Sequence, residues 1–260
     1  MAKKHKNKHD AVIGIDIGGT GIKGGIVDLA KGKLIGDRFR IPTPQPATPE
    51  AVAGVVGQIV AELSSRPDGP GTEVPVGVTF PAIIQHGVAR SAANVDKSWV
   101  DTDVDALLTK ALNREVQVMN DADAAGLAEA RYGAGRGVDG TVLVITLGTG
   151  IGSALIYNGS LVPNAELGHL EIDGVDAESK ASASARERDD ISWEEYAKRL
   201  QRYFSHVEFL FSPDLFVIGG GISKRSEDFL PMLDLRTPMV TANLKNNAGI
   251  VGAALQAALH

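Results

Sequence analysis

Residues 11–17, AVIGIDI, form an alternating, β-branched run that predicts a strand. Gly18-Gly19-Thr20-Gly21 breaks it as a turn, residues 22–29 resume it, and Lys31-Gly32-Lys33 turns the chain again before 34–41. The expectation is a meander of three antiparallel strands. Proline-rich 42–49 is irregular, and Pro49 opens a helix over 49–63 with apolar Val52, Val55, Val56, Ile59 and Val60 at helical spacing. A strand at 74–80, a loop at 91–100, a helix at 104–112, a strand at 116–119 and an alanine-rich helix at 122–132 follow. The pattern then restarts: strands 141–147 and 152–157 flank Gly148-Thr149-Gly150, and an amphipathic helix spans 193–211. A buried strand at 215–218 runs into Gly219-Gly220-Gly221, and a helix at 248–259 ends the pattern.

A meander followed by helices thus occurs twice, without repeated sequence. This predicts an α/β protein of two lobes with a ligand-binding cleft between them. The boundaries read as a disordered basic tail at 1–10, a smaller lobe at 11–119 and a larger lobe at 120–260, the last helix packing back on the first lobe. The tail MAKKHKNKHD resembles the basic start of a signal peptide, but the apolar run behind it is broken by Asp16 and lacks a cleavage pattern. Residues 140–165 carry no charge, yet their Gly, Asn and Pro fit two strands around a turn better than a membrane span.

Composition narrows the function. With 26 Lys and Arg against 32 Asp and Glu, the net charge is −6, and no basic stripe suggests nucleic acid. No cysteine is present, which removes disulfides and thiolate metal sites and fits a reducing, cytoplasmic setting. Thirty glycines, many clustered, point to loops where backbone approaches a ligand.

Three such clusters carry candidate chemistry. In Asp16-Ile17-Gly18-Gly19-Thr20-Gly21-Ile22-Lys23, glycines free the backbone to wrap a phosphate, Thr20 adds a hydroxyl and Lys23 a charge. Asp16 is placed to hold a divalent cation through water. Gly19 to Gly24 also matches the dinucleotide fingerprint G-x-G-x-x-G, but that motif needs a helix directly after it. Gly24-Gly25-Ile26-Val27 disfavours one, so the dehydrogenase reading fails. Thr146, Gly148, Thr149 and Gly150 repeat the Gly-Thr logic in the second lobe. Gly219, Gly220 and Gly221 have no expected packing purpose and mark another close ligand approach.

Asn120-Asp121 stands between a strand and a helix. Both residues, with Asp123, suit plain capping. A carboxylate there also suits a general base, since an ordinary aspartate titrates at about 3.9 and is ionised at neutral pH. Glu166-Leu167-Gly168-His169 reads equally as a surface turn or as two ligands for a polyhydroxylated molecule, with no further His or Cys nearby to complete a metal site.

In their order, the segments IGIDIGGTGIKGGIVD, SAANVDKSW, NDADAAGLAEARYGAG, ITLGTGIGSALIYNG, ELGHLEID and VIGGGIS resemble the ROK family of sugar kinases. The resemblance covers nearly the whole chain and implies the two-lobed actin-like (ribonuclease H-like) ATPase fold. It further implies Asp121 as catalytic base and Asn94, Asn120, Glu166 and His169 as hexose ligands. Gly18, Gly19, Thr20, Lys23, Thr146, Gly148, Thr149, Gly150, Gly220 and Gly221 become donor-phosphate contacts. The family usually carries a Cys-rich zinc loop after the Gly-His pair, ending in a sugar-binding Glu. Here residues 173–190 lack Cys, so no structural zinc is expected, while Glu178 resembles that final Glu.

The Cys-free loop resembles the polyphosphate-using glucokinases and glucomannokinases of the family. That implies glucose, and mannose as a second acceptor, with inorganic polyphosphate or ATP as donor, Mg²⁺, a homodimer and no membrane or nucleic-acid partner. Lys23, Arg136, Lys224 and Arg225 are candidate cations for a polyanionic donor. Two alternatives remain: a strictly ATP-dependent hexose or aminosugar kinase, and a non-catalytic sugar sensor. The sensors of this family carry a DNA-binding domain first, and only about ten residues precede the first strand here.

Overall fold

The computed structural model describes residues 10–92 and 95–259. Two compact units emerge from the packing: residues up to Ala124 with those from Asn247 onward, and Ala125–Asn246.

In the first unit, β1 (Ala11–Ile17), β2 (Ile22–Asp28) and β3 (Lys33–Ile41) form the antiparallel meander. The strand β2 follows the Gly18–Gly21 turn directly, so the helix required by a dinucleotide fingerprint is missing. Helix α1 (Pro49–Ser64) starts where Thr48 Oγ1 accepts from Ala51 N–H. It buries Val52, Val56, Ile59 and Leu63 against the sheet. Next come β4 (Val76–Phe80), a small hairpin of β5 (Ile84–Gln85) and β6 (Val88–Ala89), α2 (Val104–Leu112) and β7 (Val116–Asn120). The sheet order is β3-β2-β1-β4-β7, with β1, β4 and β7 parallel. Residues 97–99 of the expected loop form one 3₁₀ turn, and the fully buried Trp99 packs on Phe80 with ring centroids 4.5 Å apart.

Helix α3 (Asp121–Tyr132) carries the boundary between the units inside it rather than at its start. The second unit opens with β8 (Thr141–Leu147), β9 (Ile151–Tyr157) and a third meander strand, β10 (Ser160–Val162), too short to register in the sequence pattern. A hairpin of β11 (Glu171–Ile172) and β12 (Val175–Asp176) leads to the short helices α4 (Glu178–Ala181) and α5 (Ala183–Asp189). Helix α6 (Trp193–Phe211) is capped by Ser192 and buries Tyr196, Leu200, Tyr203, Phe204 and Val207 at helical spacing. These pack on Phe216, Ile218 and Phe229. Each fully buried side chain contributes roughly 1.5–3 kcal/mol, and Leu200→Ala would cost about 2–5 kcal/mol. Strand β13 (Leu215–Gly219) and β14 (Met239–Thr241) complete the order β10-β9-β8-β13-β14, again a meander with two parallel additions. Both units therefore share one topology.

The terminal helix α7 (Ala248–Leu259) packs on β1 and β4 of the first unit. It comes flush with the sheet because Gly14 and Gly77 face it: a Cβ at either would overlap the helix backbone, at Ile250 and Ala253 respectively. Among the described residues no helix is long and apolar enough to cross a membrane.

Candidate active site

In the first unit, strand register builds one cluster of candidate residues. Arg40 pairs with Lys23, Lys23 with Asp16 and Asp16 with Thr79, a single row across β3, β2, β1 and β4. Asp16 Oδ1 accepts from Thr79 Oγ1 at 3.1 Å, and its Oδ2 lies 3.5 Å from Lys23 Nζ. Directly beyond this row, Gly18–Gly21 curls on itself, Gly18 N–H donating to Gly21 O at 3.2 Å. Arg40 Nη2 donates to Thr20 O at 2.8 Å, and a Cβ on Gly21 would overlap the Arg40 guanidinium. Gly19 and Thr20 stay exposed. Gly19, Thr43, Gln45, Pro46, Val95 and Asp96 are among the residues lining a pocket of about 190 Å³. Asp16 offers one carboxylate whose Oδ1 is shared with Thr79 and whose Oδ2 faces Lys23, so it suits a hard cation held through water rather than directly.

On the same sheet, β7 ends at Asn120. Its Oδ1 accepts from Ala122 N–H at 2.8 Å and Asp123 N–H at 3.1 Å, and its Nδ2 donates to Ala82 O. Asn120 is thus the cap of α3 and is buried. The two candidate carboxylates separate cleanly. Asp121 is exposed, its Oδ1 accepting from Ala122 N–H, whereas Asp123 is only 2% exposed. Asn94 lies outside the described residues.

In the second unit, a further cluster gathers around Gly150 and Ile151. Gly148 N–H donates to Gly150 O at 3.0 Å, repeating the curl of the first loop, and Thr149 is exposed. Glu178, the first residue of α4, reaches back so that its Oε2 accepts from Ile151 N–H at 3.0 Å. It occupies the space a Cβ on Gly150 would fill. Glu166 leads into the 3₁₀ turn Leu167–His169, in which Leu167 and Gly168 are buried, and Gly168 is pressed on Ile151 O where a Cβ would overlap. The same Ile151 therefore anchors both the Glu178 side and the His169 side.

His169 Nδ1 lies 2.8 Å from Asp176 Oδ2, and Asp176 Oδ1 accepts from Glu178 N–H at 3.1 Å. The hydrogen bond to Asp176 raises the His169 pKa above its ordinary value, helped by the negative charges of Glu178, Asp176 and Glu166 and opposed by partial burial. Burial raises Glu166, with His169 opposing and Glu178 adding to the shift. One ligating atom each from His169, Asp176 and Glu178 fall within 4.8 Å of one another. The sequence reading found no partner for His169, because Asp176 reaches it only when β11 and β12 fold back.

The glycine triplet departs from expectation. Gly220 has φ +82° and is pressed on the Leu147 backbone, and a Cβ on Gly219 would lie 3.2 Å from Thr146. Both glycines therefore do have a packing reason, and only Gly221 faces open space. Arg40, Thr79 and Asp176 are site neighbours that sequence reasoning missed. Strand alternation could have put Arg40 opposite Lys23, but no local signal marks Asp176.

The ROK family model matches residues 12–184. A polyphosphate glucokinase of Mycobacterium tuberculosis (strain CDC 1551 / Oshkosh) is 51% identical over 243 residues, 93% of this chain and 89% of that one. The inorganic polyphosphate/ATP-glucomannokinase of Arthrobacter sp. strain KM has a crystal structure that superposes with TM-score 0.92 at 74% identity, covering 96% of this chain and 99% of that one. A ROK family glucokinase from Streptomyces griseus, solved with glucose and AMPPNP, superposes with TM-score 0.81 at 25% identity over 96% of this chain and all of that one.

Proposed function

Because this chain belongs to the ROK family, we propose that it transfers the terminal phosphoryl group of inorganic polyphosphate to the 6-hydroxyl of glucose. It is a phosphotransferase of the hexokinase type on the actin-like ATPase fold. The observation carrying the catalytic assignment is the exposed Asp121 carboxylate at the end of β7, on the sheet that also presents the Gly18–Gly21 loop. The buried Asp123 is the structural partner of that pair.

Glu166, His169 and Glu178 hydrogen-bond the sugar hydroxyls, with Asn120 positioning the start of α3. His169 gives its Nδ1–H to Asp176, so Nε2 is the atom turned to the sugar. Asp121 takes the proton of the 6-hydroxyl as its oxygen attacks the terminal phosphorus. The bond from that phosphorus to the bridging oxygen breaks, and the chain leaves one phosphate shorter. Backbone N–H groups of the Gly18–Gly21 and Gly148–Gly150 loops, Gly220, Gly221, the hydroxyls of Thr20, Thr146 and Thr149, and Lys23 receive the charge that builds on the transferring group.

The reaction needs a divalent metal, and Mg²⁺ held by Asp16 through its water shell would supply charge neutralisation on the phosphates. ATP as a second donor, mannose as a second acceptor, a homodimer and a cytoplasmic location belong to the same proposal.

The test is hexose 6-phosphate formation from glucose and Mg²⁺, with polyphosphate in one tube and ATP in another. Product with polyphosphate is expected. Product with ATP alone would leave an ATP-dependent hexose kinase, and none in either would leave a sugar-binding protein without turnover.

A further inference from the structure

Arg186 sits on α5, half-buried, and its guanidinium carbon lies 3.7 Å from the centroid of the Trp193 ring. Its Nε is buried and, among the described residues, meets no hydrogen-bond partner. The nearby carboxylate of Asp189 is taken by Arg188 at 2.9 Å and Arg199 at 2.6 Å. Among the described residues no carboxylate forms an ion pair with Arg186, and a partly desolvated cation so placed is costly unless an anion arrives to meet it. A second guanidinium, that of Arg225, approaches the same ring at 5.0 Å. The two cationic carbons are therefore no more than about 9 Å apart.

Both arginines hang from segments fastened to the second glycine loop. Ser184, two residues before Arg186, donates its N–H to Gly148 O at 3.1 Å. Arg225 lies on the 3₁₀ segment that begins directly after Gly220, the residue pressed on Leu147. Trp193 is itself braced by Phe229, stacked at 6.0 Å and 15°. With cations and a phenyl ring around the indole, little of it is open for stacking a nucleobase.

We infer that Arg186 and Arg225, held over Trp193, bind phosphates of inorganic polyphosphate that lie beyond the one transferred. This rests on the donor reading above and assigns where the rest of the chain goes. A planar guanidinium suits a phosphate through paired N–H bonds, and laying it on an indole settles its orientation beforehand. Two like charges beside one ring repel, and a polyanion passing between them removes that repulsion. Arg225 already pairs with Asp228 at 2.5 Å, so Arg186 carries the larger share.

The experiment measures donor KM with inorganic polyphosphates of graded length, and the quenching of Trp193 fluorescence by the same chains in a Trp99→Phe background. In the parent, KM falls as chains lengthen past tripolyphosphate. In Arg186→Gln that gain shrinks about tenfold or more, the worth of one charge-assisted contact, and Arg186→Lys recovers part of it. Glucose KM and the melting temperature report whether each variant is folded. A length dependence in folded Arg186→Gln equal to the parent's would overturn the assignment, as would an equal loss with tripolyphosphate. A parent that turns over no polyphosphate would defeat the donor reading alone. The fluorescence titration then decides separately: length-dependent quenching lost in Arg186→Gln supports the subsite, and no response to long chains overturns it.

Discussion

His169 Nδ1 and Asp176 Oδ2 stand 2.8 Å apart, and the other oxygen of Asp176 holds the backbone N–H of Glu178. One carboxylate thus fixes a histidine ring and the start of the helix that carries a glutamate. In this Cys-free stretch a short hairpin and one aspartate provide the tie.

Asp176→Asn tests that tie. The Asp176 bond favours the charged imidazole, so its stabilising effect is complete below the ordinary histidine pKa and is lost as pH rises through the raised folded value. Replacing the carboxylate moves the inflection in glucose KM to lower pH and raises glucose KM by about tenfold. A pH profile of KM measures both. An inflection that stays in place would mean that His169 does not set glucose affinity through Asp176.

Asp121→Asn is expected to lower kcat by about 10²–10⁴, the range for a general base, while glucose binding survives. Asp123→Asn should leave kcat per folded molecule close to the parent's, because that carboxylate is buried. Steady-state kinetics with calorimetric glucose titration separate the two. Inactivation by the second change and not the first would exchange their roles.

Gly150→Ala would put a methyl group where the Glu178 carboxylate lies. The obstacle is the end of a flexible side chain, so the fold tolerates it, but Glu178 must leave Ile151 N–H. The melting temperature should hardly move while glucose KM rises about tenfold, the worth of a displaced charged hydrogen bond.

Gly77→Ala gives the opposite balance. Its new Cβ would overlap the Ala253 carbonyl and lie 2.8 Å from Ala254 N, backbone that cannot rotate away. Forcing α7 off β4 should cost about 3 kcal/mol or more. That corresponds to a fall of roughly 6–12 °C in Tm, read by thermal melts. An unchanged Tm would show that α7 can shift without loss.

The elements were legible because their signals are local. The alternation of 11–17, the helical spacing from Val52 to Val60, and the Asn120 cap each act within a few residues, and such preferences survive into the fold. The two Gly-Thr turns were legible for the same reason, although the glycine triplet was misread: Gly220 answers to Leu147, a neighbour more than seventy residues away in sequence.

Whatever depended on register or distant packing was settled only by the tertiary structure. The row of Arg40, Lys23, Asp16 and Thr79 exists because β3, β2, β1 and β4 pair in one register, and a slip of one residue would turn each side chain to the other face. Asp121 and Asp123 are equivalent as letters, and burial by the surrounding fold separates them. Asp176 meets His169, and Arg186 meets Trp193, only after turns that carry no periodic signal. By itself the sequence determined which chemical groups the chain holds and on which local elements. The packing of those elements decided which groups share water, charge and space, because solvent exclusion and Coulombic contact act through space rather than along the chain.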